Sequence, residues 1–159
     1  MAKSYRNFPS GGYGWVGMGP EELSRTITKS GIAIKKLQKE LGFEAVAFCG
    51  SSGAAIAFHL GIKYKIPLIY VRKKDEECHG SSVECNGTDL QVKKYLIVDD
   101  FIDSGKTMRY IIGSIGKHTK DRSAYPAKPV GIFCYDGCQA GRPFVVTPRR
   151  KIPIFVNKD

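Results

Sequence analysis

Apolar positions recur along this chain in two rhythms. From Pro20 onward, Leu23, Ile27, Ile34, Leu37 and Leu41 fall three, four or seven residues apart, the spacing of one helix face. Pro20 sits where a missing N–H costs nothing, Glu21 and Glu22 meet the positive end of the helix dipole, and Gly42 supplies the stop. The stretch "FEAVAFC" (43–49) then reads as a strand, "GSSG" (50–53) as a small-residue loop, and "AAIAFHLGIKY" (54–64) as a second helix. "IPLIYVR" (66–72) is the next strand, and Asn86-Gly87 predicts a hairpin between short strands near 81–85 and 88–92. Residues 95–98 ("YLIV") form a buried strand; Met108, Ile111, Ile112 and Ile115 mark a helix from about Gly105 to Ile115. "KPVGIFCYD" (128–136) and a final "KIPIFV" (151–156) complete the apolar runs. Four or five strands alternating with helices predict an α/β protein. Its three αβα layers enclose a mainly parallel sheet, and ligands are expected at the strands' C-terminal ends.

Composition narrows this picture. At 159 residues the chain is about one domain, and 42% apolar residues suffice for a real core. No run of 18 apolar residues appears, and the N-terminus "MAKSYRNFPSGGYGW" has no apolar h-region, so a cytoplasmic protein is expected. Residues 1–19 hold glycines among Tyr5, Phe8, Tyr13, Trp15 and Met18, aromatics that want burial over the core or a site. The five cysteines read as reduced thiols; Cys78, His79 and Cys85 match no strong zinc spacing.

The formal net charge of +10 calls for an anionic partner. Nucleic acid is one candidate and a polyphosphorylated small molecule another. The basic residues are dispersed (Lys35-Lys36, Arg72-Lys73-Lys74, Lys93-Lys94, Arg149-Arg150-Lys151), with no aromatic-interleaved basic helix or zinc finger. Most of these lysines read as a solvated surface, function being reserved mainly for Arg72 and Lys73.

The chemistry concentrates in "YLIVDDFIDSGKTM" (95–108). Its Gly-Lys-Thr suggests a nucleoside-triphosphate P-loop, but that motif needs a glycine five residues before Gly105, where Asp100 stands. An aspartate there loses the turn and sets negative charge against a polyphosphate. What remains is a strand tip carrying Asp99 and Asp100, then a strand-to-helix turn over 101–105 with Asp103 or Ser104 as N-cap. The amides of such a turn bind phosphate, and Ser104, Lys106 and Thr107 add donors. Paired carboxylates suit a vicinal diol and Mg²⁺, so the pattern fits a ribose 5-phosphate moiety.

The stretch resembles the phosphoribosyl pyrophosphate (PRPP) motif of the type I phosphoribosyltransferases. "DDFIDSGKTM" is most similar to the 6-oxopurine branch, the hypoxanthine-guanine and xanthine enzymes. The resemblance implies that Asp99 and Asp100 hold the ribose hydroxyls and, with them, Mg²⁺. It further implies that Asp103, Ser104, Gly105, Lys106 and Thr107 hold the 5-phosphate, and that Asp103 accepts a proton near the base. Gly50, Ser51, Ser52 and Gly53 match the pyrophosphate loop, a nest of amides at a helix start. The family places a flap near 73–93; "RKKDEECHG" is similar to its Arg-Lys…His-Gly stretch in the orotate enzymes, one residue longer. Arg72 and Lys73 would contact pyrophosphate, and His79 would approach the leaving group.

"VGIFCYDGCQAGRP" resembles the segment after the PRPP motif in xanthine phosphoribosyltransferase, but its 6-oxopurine-binding lysine is absent from residues 135–139 (Tyr-Asp-Gly-Cys-Gln). Phe155, or else Phe144, is the candidate to stack on the base. The expected organisation is a single domain over 1–159, with a possible small hood over 137–159. The expected activity is transfer of 5-phosphoribose from PRPP to a nucleobase, with Asp103 pointing to a purine and Arg72-Lys73…His79 to orotate. A PRPP-sensing nucleic-acid-binding regulator is the alternative. Resemblance further implies a homodimer.

Overall fold

The computed structural model describes residues 14–76, 81–86, 91–120, 126–136 and 143–157. A short 3₁₀ helix (Gly14–Gly17) leads into α1 (Pro20–Leu41), β1 (Ala45–Cys49), α2 (Gly50–Tyr64), β2 (Leu68–Val71) and β3 (Val83–Cys85). There follow β4 (Lys94–Asp99), α3 (Lys106–Lys120), β5 (Lys128–Cys134), β6 (Phe144–Val146) and β7 (Lys151–Val156). One sheet of seven strands runs in the order β3-β2-β1-β4-β5-β7-β6. Its five inner strands are parallel; the two edges, β3 and β6, are antiparallel. The fold is the α/β architecture expected, with more strands than the four or five anticipated.

Strand alternation decides which helix covers which face. In β1, Ala45, Ala47 and Cys49 point to a core shared with Met108, Ile111 and Ile115 of α3. Val46 and Phe48 point the other way, to Ile34 of α1 and Ile56, Ala57 and Leu60 of α2. All of these are buried, and each large apolar side chain so placed contributes about 1.5–3 kcal/mol. Helices α2 and α3 therefore lie on opposite faces. β1 pairs with β2 on one side and β4 on the other, while α2 leads outward to β2 and α3 outward to β5. The tips of β1 and β4 are thus the switch point, where departing connections leave a crevice.

Several local expectations are corrected. Residues 50–53 are the first turn of α2, with Cys49 as N-cap, and not a loop ahead of it. They are small because this turn presses on the sheet: a Cβ on Gly53 would stand 2.5 Å from the Val98 carbonyl oxygen and 2.6 Å from Phe48 Cβ. β3 pairs with β2, Ile69 opposite Cys85 and Val71 opposite Val83, while the turn and second strand of the expected Asn86-Gly87 hairpin fall mostly outside the described residues. Asn86 Oδ1 instead accepts the Leu68 amide at 2.6 Å; residues 87–90 lie outside the described ones. Within the segment expected as a possible hood, 143–157 extend the central sheet, β7 pairing with β5 and β6 with β7. Trp15 and Met18 pack on the α1/α2 core, as aromatic burial required, while Tyr5, Phe8 and Tyr13 lie outside the described residues. Among the described residues no helix is long and apolar enough to cross a membrane.

Candidate active site

Helix α2 begins against the tip of β1. Gly50 has φ 66°, a backbone that favours glycine, and no side chain caps the helix start. The first-turn amides have no partner within the helix, so they face outward as donors for an anion. Lys73, just past β2, lies across this turn: a Cβ on Gly50 would be 2.6 Å from its Cε and 3.3 Å from its Nζ. A tight turn fixes that lysine's backbone. Glu76 Oε2 accepts the Lys73 amide at 3.0 Å and the Tyr70 hydroxyl at 2.9 Å. From the far side, the Tyr135 hydroxyl donates to the Ser52 carbonyl at 2.7 Å, fastening the α2 turn to the end of β5. Asn157 Nδ2 in turn donates to the Tyr135 carbonyl at 3.2 Å and to Ser30 Oγ at 3.0 Å.

The acid pair ends β4. Asp99 is only 6% exposed, and Oδ1 accepts the Asp100 amide at 3.0 Å. Burial first, then the Asp100 charge, push its pKa up to about 8; the Asp100 amide and Lys73 work against the rise. Uncharged Cys49 completes the floor, its thiol pushed up to about 11 by burial and by Asp99. A buried carboxyl that resists ionisation beside a second acid is a site that a cation would stabilise.

After Asp100 the chain turns through buried Ile102 to exposed Asp103 and Ser104, and Gly105 at φ 71° starts α3. The Gly105 carbonyl accepts the Arg109 amide at 3.0 Å, so Gly105 caps the helix where Asp103 or Ser104 was expected. Ser104 Oγ supports the turn from one residue earlier, accepting the Lys106 amide at 3.4 Å. Arg109, which the sequence reading passed over, donates from Nη2 to the Ser104 carbonyl at 2.8 Å and holds the loop closed. Its only signal was its place one turn into the helix.

A cleft of about 660 Å³ joins these parts: Cys49 and Ser52, Lys73 and Lys74, Asp99 and Asp100, and the whole run 103–107 line it. Arg72 points elsewhere, its Nε donating to Glu84 Oε1 at 2.7 Å across the β2–β3 pair. His79 and Cys78 lie outside the described residues, and Cys85 is half-buried on β3. Phe155 packs its ring over Gly131 in mid-strand, 2.6 Å from where a Cβ would stand, and is half-buried against the core. Phe144 lines a smaller cavity of about 310 Å³ together with Asp103, Ser104, Gly105 and Arg109. A larger, mainly apolar groove of about 780 Å³ follows α2 from Gly50 and Ser51 past Phe58 and Ile62; of the expected pyrophosphate loop, only Ser52 lines the cleft with the acid pair. For Mg²⁺, Asp99 and Asp100 are suitable hard donors, but among the described residues no three His, Cys, Asp or Glu converge. A ligand's own phosphate oxygens would have to complete the coordination.

The start of α3, Ser52 of the α2 turn and two acids thus meet at the switch point. Residues 30–119 match the family model described as a phosphoribosyl transferase domain, and the chain belongs to that family. No curated protein sequence matches the chain. Among solved structures it is similar to an orotate phosphoribosyltransferase from Aeropyrum pernix, with 17% identity and a TM-score of 0.53 over 73% of this chain and 59% of that one. Orotate phosphoribosyltransferase from Francisella tularensis gives 18% and 0.52, over 75% and 52%. A structure titled adenine phosphoribosyltransferase gives 15% and 0.58, over 88% and 82%. At these identities the likeness is one of fold. The chain spans less than two-thirds of the length of either orotate structure.

Proposed function

We propose that the protein transfers the 5-phosphoribosyl group of PRPP to a ring nitrogen of a nucleobase, releasing pyrophosphate. The observation that supports this reading is the cleft in which the acid pair meets the start of α3, Ser52 of the α2 turn and Lys73, which suits a ligand with phosphate at both ends and a diol between. In it, Ser104, Lys106, Thr107 and the adjoining amides take the 5-phosphate. Asp99 and Asp100 take the ribose hydroxyls, and the Gly50–Gly53 turn with Lys73 takes pyrophosphate. Arg72 drops out of that last role, since its side chain is engaged with Glu84. Mg²⁺ bound by Asp99 and Asp100 would offset charge on the departing pyrophosphate.

As the bond from ribose C1 to pyrophosphate oxygen breaks, C1 gains oxocarbenium character, and the base nitrogen forms the new bond. The proton on that nitrogen passes to Asp103, which lines both the cleft and the smaller cavity beside Phe144. Phe144, at that cavity with the Lys151 ammonium 4.7 Å over its ring, joins Phe155 as a candidate to stack on a base. Ordering two reactants and excluding water supplies up to about 7–11 kcal/mol, and the acid–base contact about 10²–10⁴ in rate. Positioning dominates. Asp103 favours a purine of the 6-oxopurine kind; the missing lysine among residues 135–139 weighs against that choice, and two of the structural neighbours named above are orotate enzymes. A homodimer in the cytoplasm belongs to the same reading.

The test is incubation with Mg²⁺, PRPP and an equimolar mixture of hypoxanthine, guanine, xanthine, adenine, orotate, uracil and nicotinamide, read by mass spectrometry. One mononucleotide product is expected. PRPP binding without any product would leave a PRPP-sensing regulator as the better reading.

A further inference from the structure

The net charge of +10 has no outlet in the cleft. There, Lys73, Lys74 and Lys106 face Asp100 and Asp103, with Asp99 held largely uncharged by burial, so most of the surplus lies elsewhere. Part of the surplus stands at the opposite pole, where parallel strands begin and helices end. Lys94 and Lys128 open β4 and β5 and are register partners, both exposed. Lys93 precedes them, also exposed, and its carbonyl accepts the Lys128 amide at 2.9 Å. Helix α1 ends against the same rim: Lys94 Nζ is 3.8 Å from where a Gly42 Cβ would stand, and Lys39 lies in the last turn. Arg150 reaches it from the other side, close enough to Tyr95, the second residue of β4, to oppose the rise that burial gives that phenol. The acids placed there among the described residues are Glu44, whose carboxylate accepts the Lys93 and Lys94 amides and keeps its charge, and Glu40, 4.0 Å from Lys36; the five cations outnumber them.

We propose that this rim of strand starts is a docking surface for the phosphodiester backbone of a nucleic acid, separate from the cleft. A cationic rim on the wrong side of the protein does nothing to draw a small phosphorylated substrate to the acid pair. It does suit a polymer that repeats its charge, since lysines on adjacent strands stand about 4.8 Å apart and meet successive phosphates. A lipid surface would ask for apolar side chains to insert, and Ala127 and Pro129, which flank Lys128, are buried. The contact reads phosphate, so it carries no base sequence.

The test is fluorescence anisotropy with a labelled single-stranded RNA 20-mer, from 50 to 300 mM NaCl. The wild type is compared with Lys94→Gln/Lys128→Gln and with a charge-matched control, Arg25→Gln/Lys29→Gln, whose residues are exposed on α1. Melting temperatures confirm that all three fold, and Lys93→Gln/Arg150→Gln substitutes for the rim variant if it does not. The wild type should bind with a steep salt dependence unaffected by saturating PRPP. Each lost phosphate contact lowers the slope of log K against log salt by about 0.7, so the rim variant should lose about 1.4 and the control nothing. Equal loss in both variants would overturn the proposal, leaving net charge alone. So would competition by PRPP, which would put the RNA in the cleft, or absence of binding at 50 mM NaCl. Binding to anionic phospholipid vesicles but not to RNA would overturn it in favour of a membrane.

Discussion

Neutralising Asp99 should make the ligand-free protein more stable, and more so as the pH rises. The carboxyl is buried at the tip of β4 beside Asp100, which pushes its pKa up to about 8, whereas in an unfolded chain it is near 4. The folded value is the higher one, so between these limits the native state holds a proton that the unfolded state has released. The stability this group contributes is complete below about pH 4 and is lost as pH rises through about 8, by up to about 1.4 kcal/mol per unit. A few kcal/mol are at stake between pH 5 and pH 8, and for a chain of this size each shifts Tm by about 2–4 °C. Asp99→Asn keeps the Oδ1 that accepts the Asp100 amide at 3.0 Å and discards the charge. Thermal melts of both proteins at pH 5, 6, 7 and 8, at matched ionic strength, read the difference. The variant's advantage should be small at pH 5 and reach several degrees at pH 8. An advantage that stays flat across the series, or a deficit at pH 8, would refute the electrostatic account of this pair.

Other outcomes follow from the same geometry. Asp103→Asn should retain PRPP binding by calorimetry while losing about 10² or more in turnover; unchanged turnover with a saturating base would remove it as proton acceptor. Gly53→Ala should cost about 1–3 kcal/mol in urea unfolding, because the Val98 carbonyl and Phe48 Cβ that its Cβ would meet are fixed by the sheet. A wild-type midpoint would contradict that close approach. Tyr135→Phe removes the donor to the Ser52 carbonyl, and about 1 kcal/mol of stability with it. It should weaken pyrophosphate more than ribose 5-phosphate, and equal loss of both would deny the hydroxyl its hold on the α2 turn.

Local pattern revealed the acid pair and its loop because both are written in contiguous residues: an apolar strand, two aspartates, a glycine turn. It says little about whatever depends on a distant partner. Arg72 and Lys73 are adjacent in sequence, yet alternation sends one to Glu84 on β3 and the other over Gly50, and the β2–β3 pairing that decides this is not a local signal. Gly131, on β5, gives the Phe155 ring room against the sheet, a contact that no local signal shows. Small residues at 50–53 are compatible with either a loop or a helix start, and contact with β4 selects the helix. The dispersed lysines illustrate the same limit at the scale of the fold, for only the parallel sheet brings 94 beside 128.

The central claim is that the acid pair and the two helix starts form one PRPP site. Calorimetric titration with PRPP in Mg²⁺, on the wild type and on Asp99→Asn/Asp100→Asn, tests it most directly, with ribose 5-phosphate titrated alongside. The account predicts Mg²⁺-dependent binding of PRPP at one site in the wild type. In the double variant PRPP affinity should fall by at least tenfold, with a smaller loss for ribose 5-phosphate, whose phosphate the loop at 103–107 still holds. Wild-type PRPP affinity in the double variant, or no PRPP binding by the wild type, would contradict it.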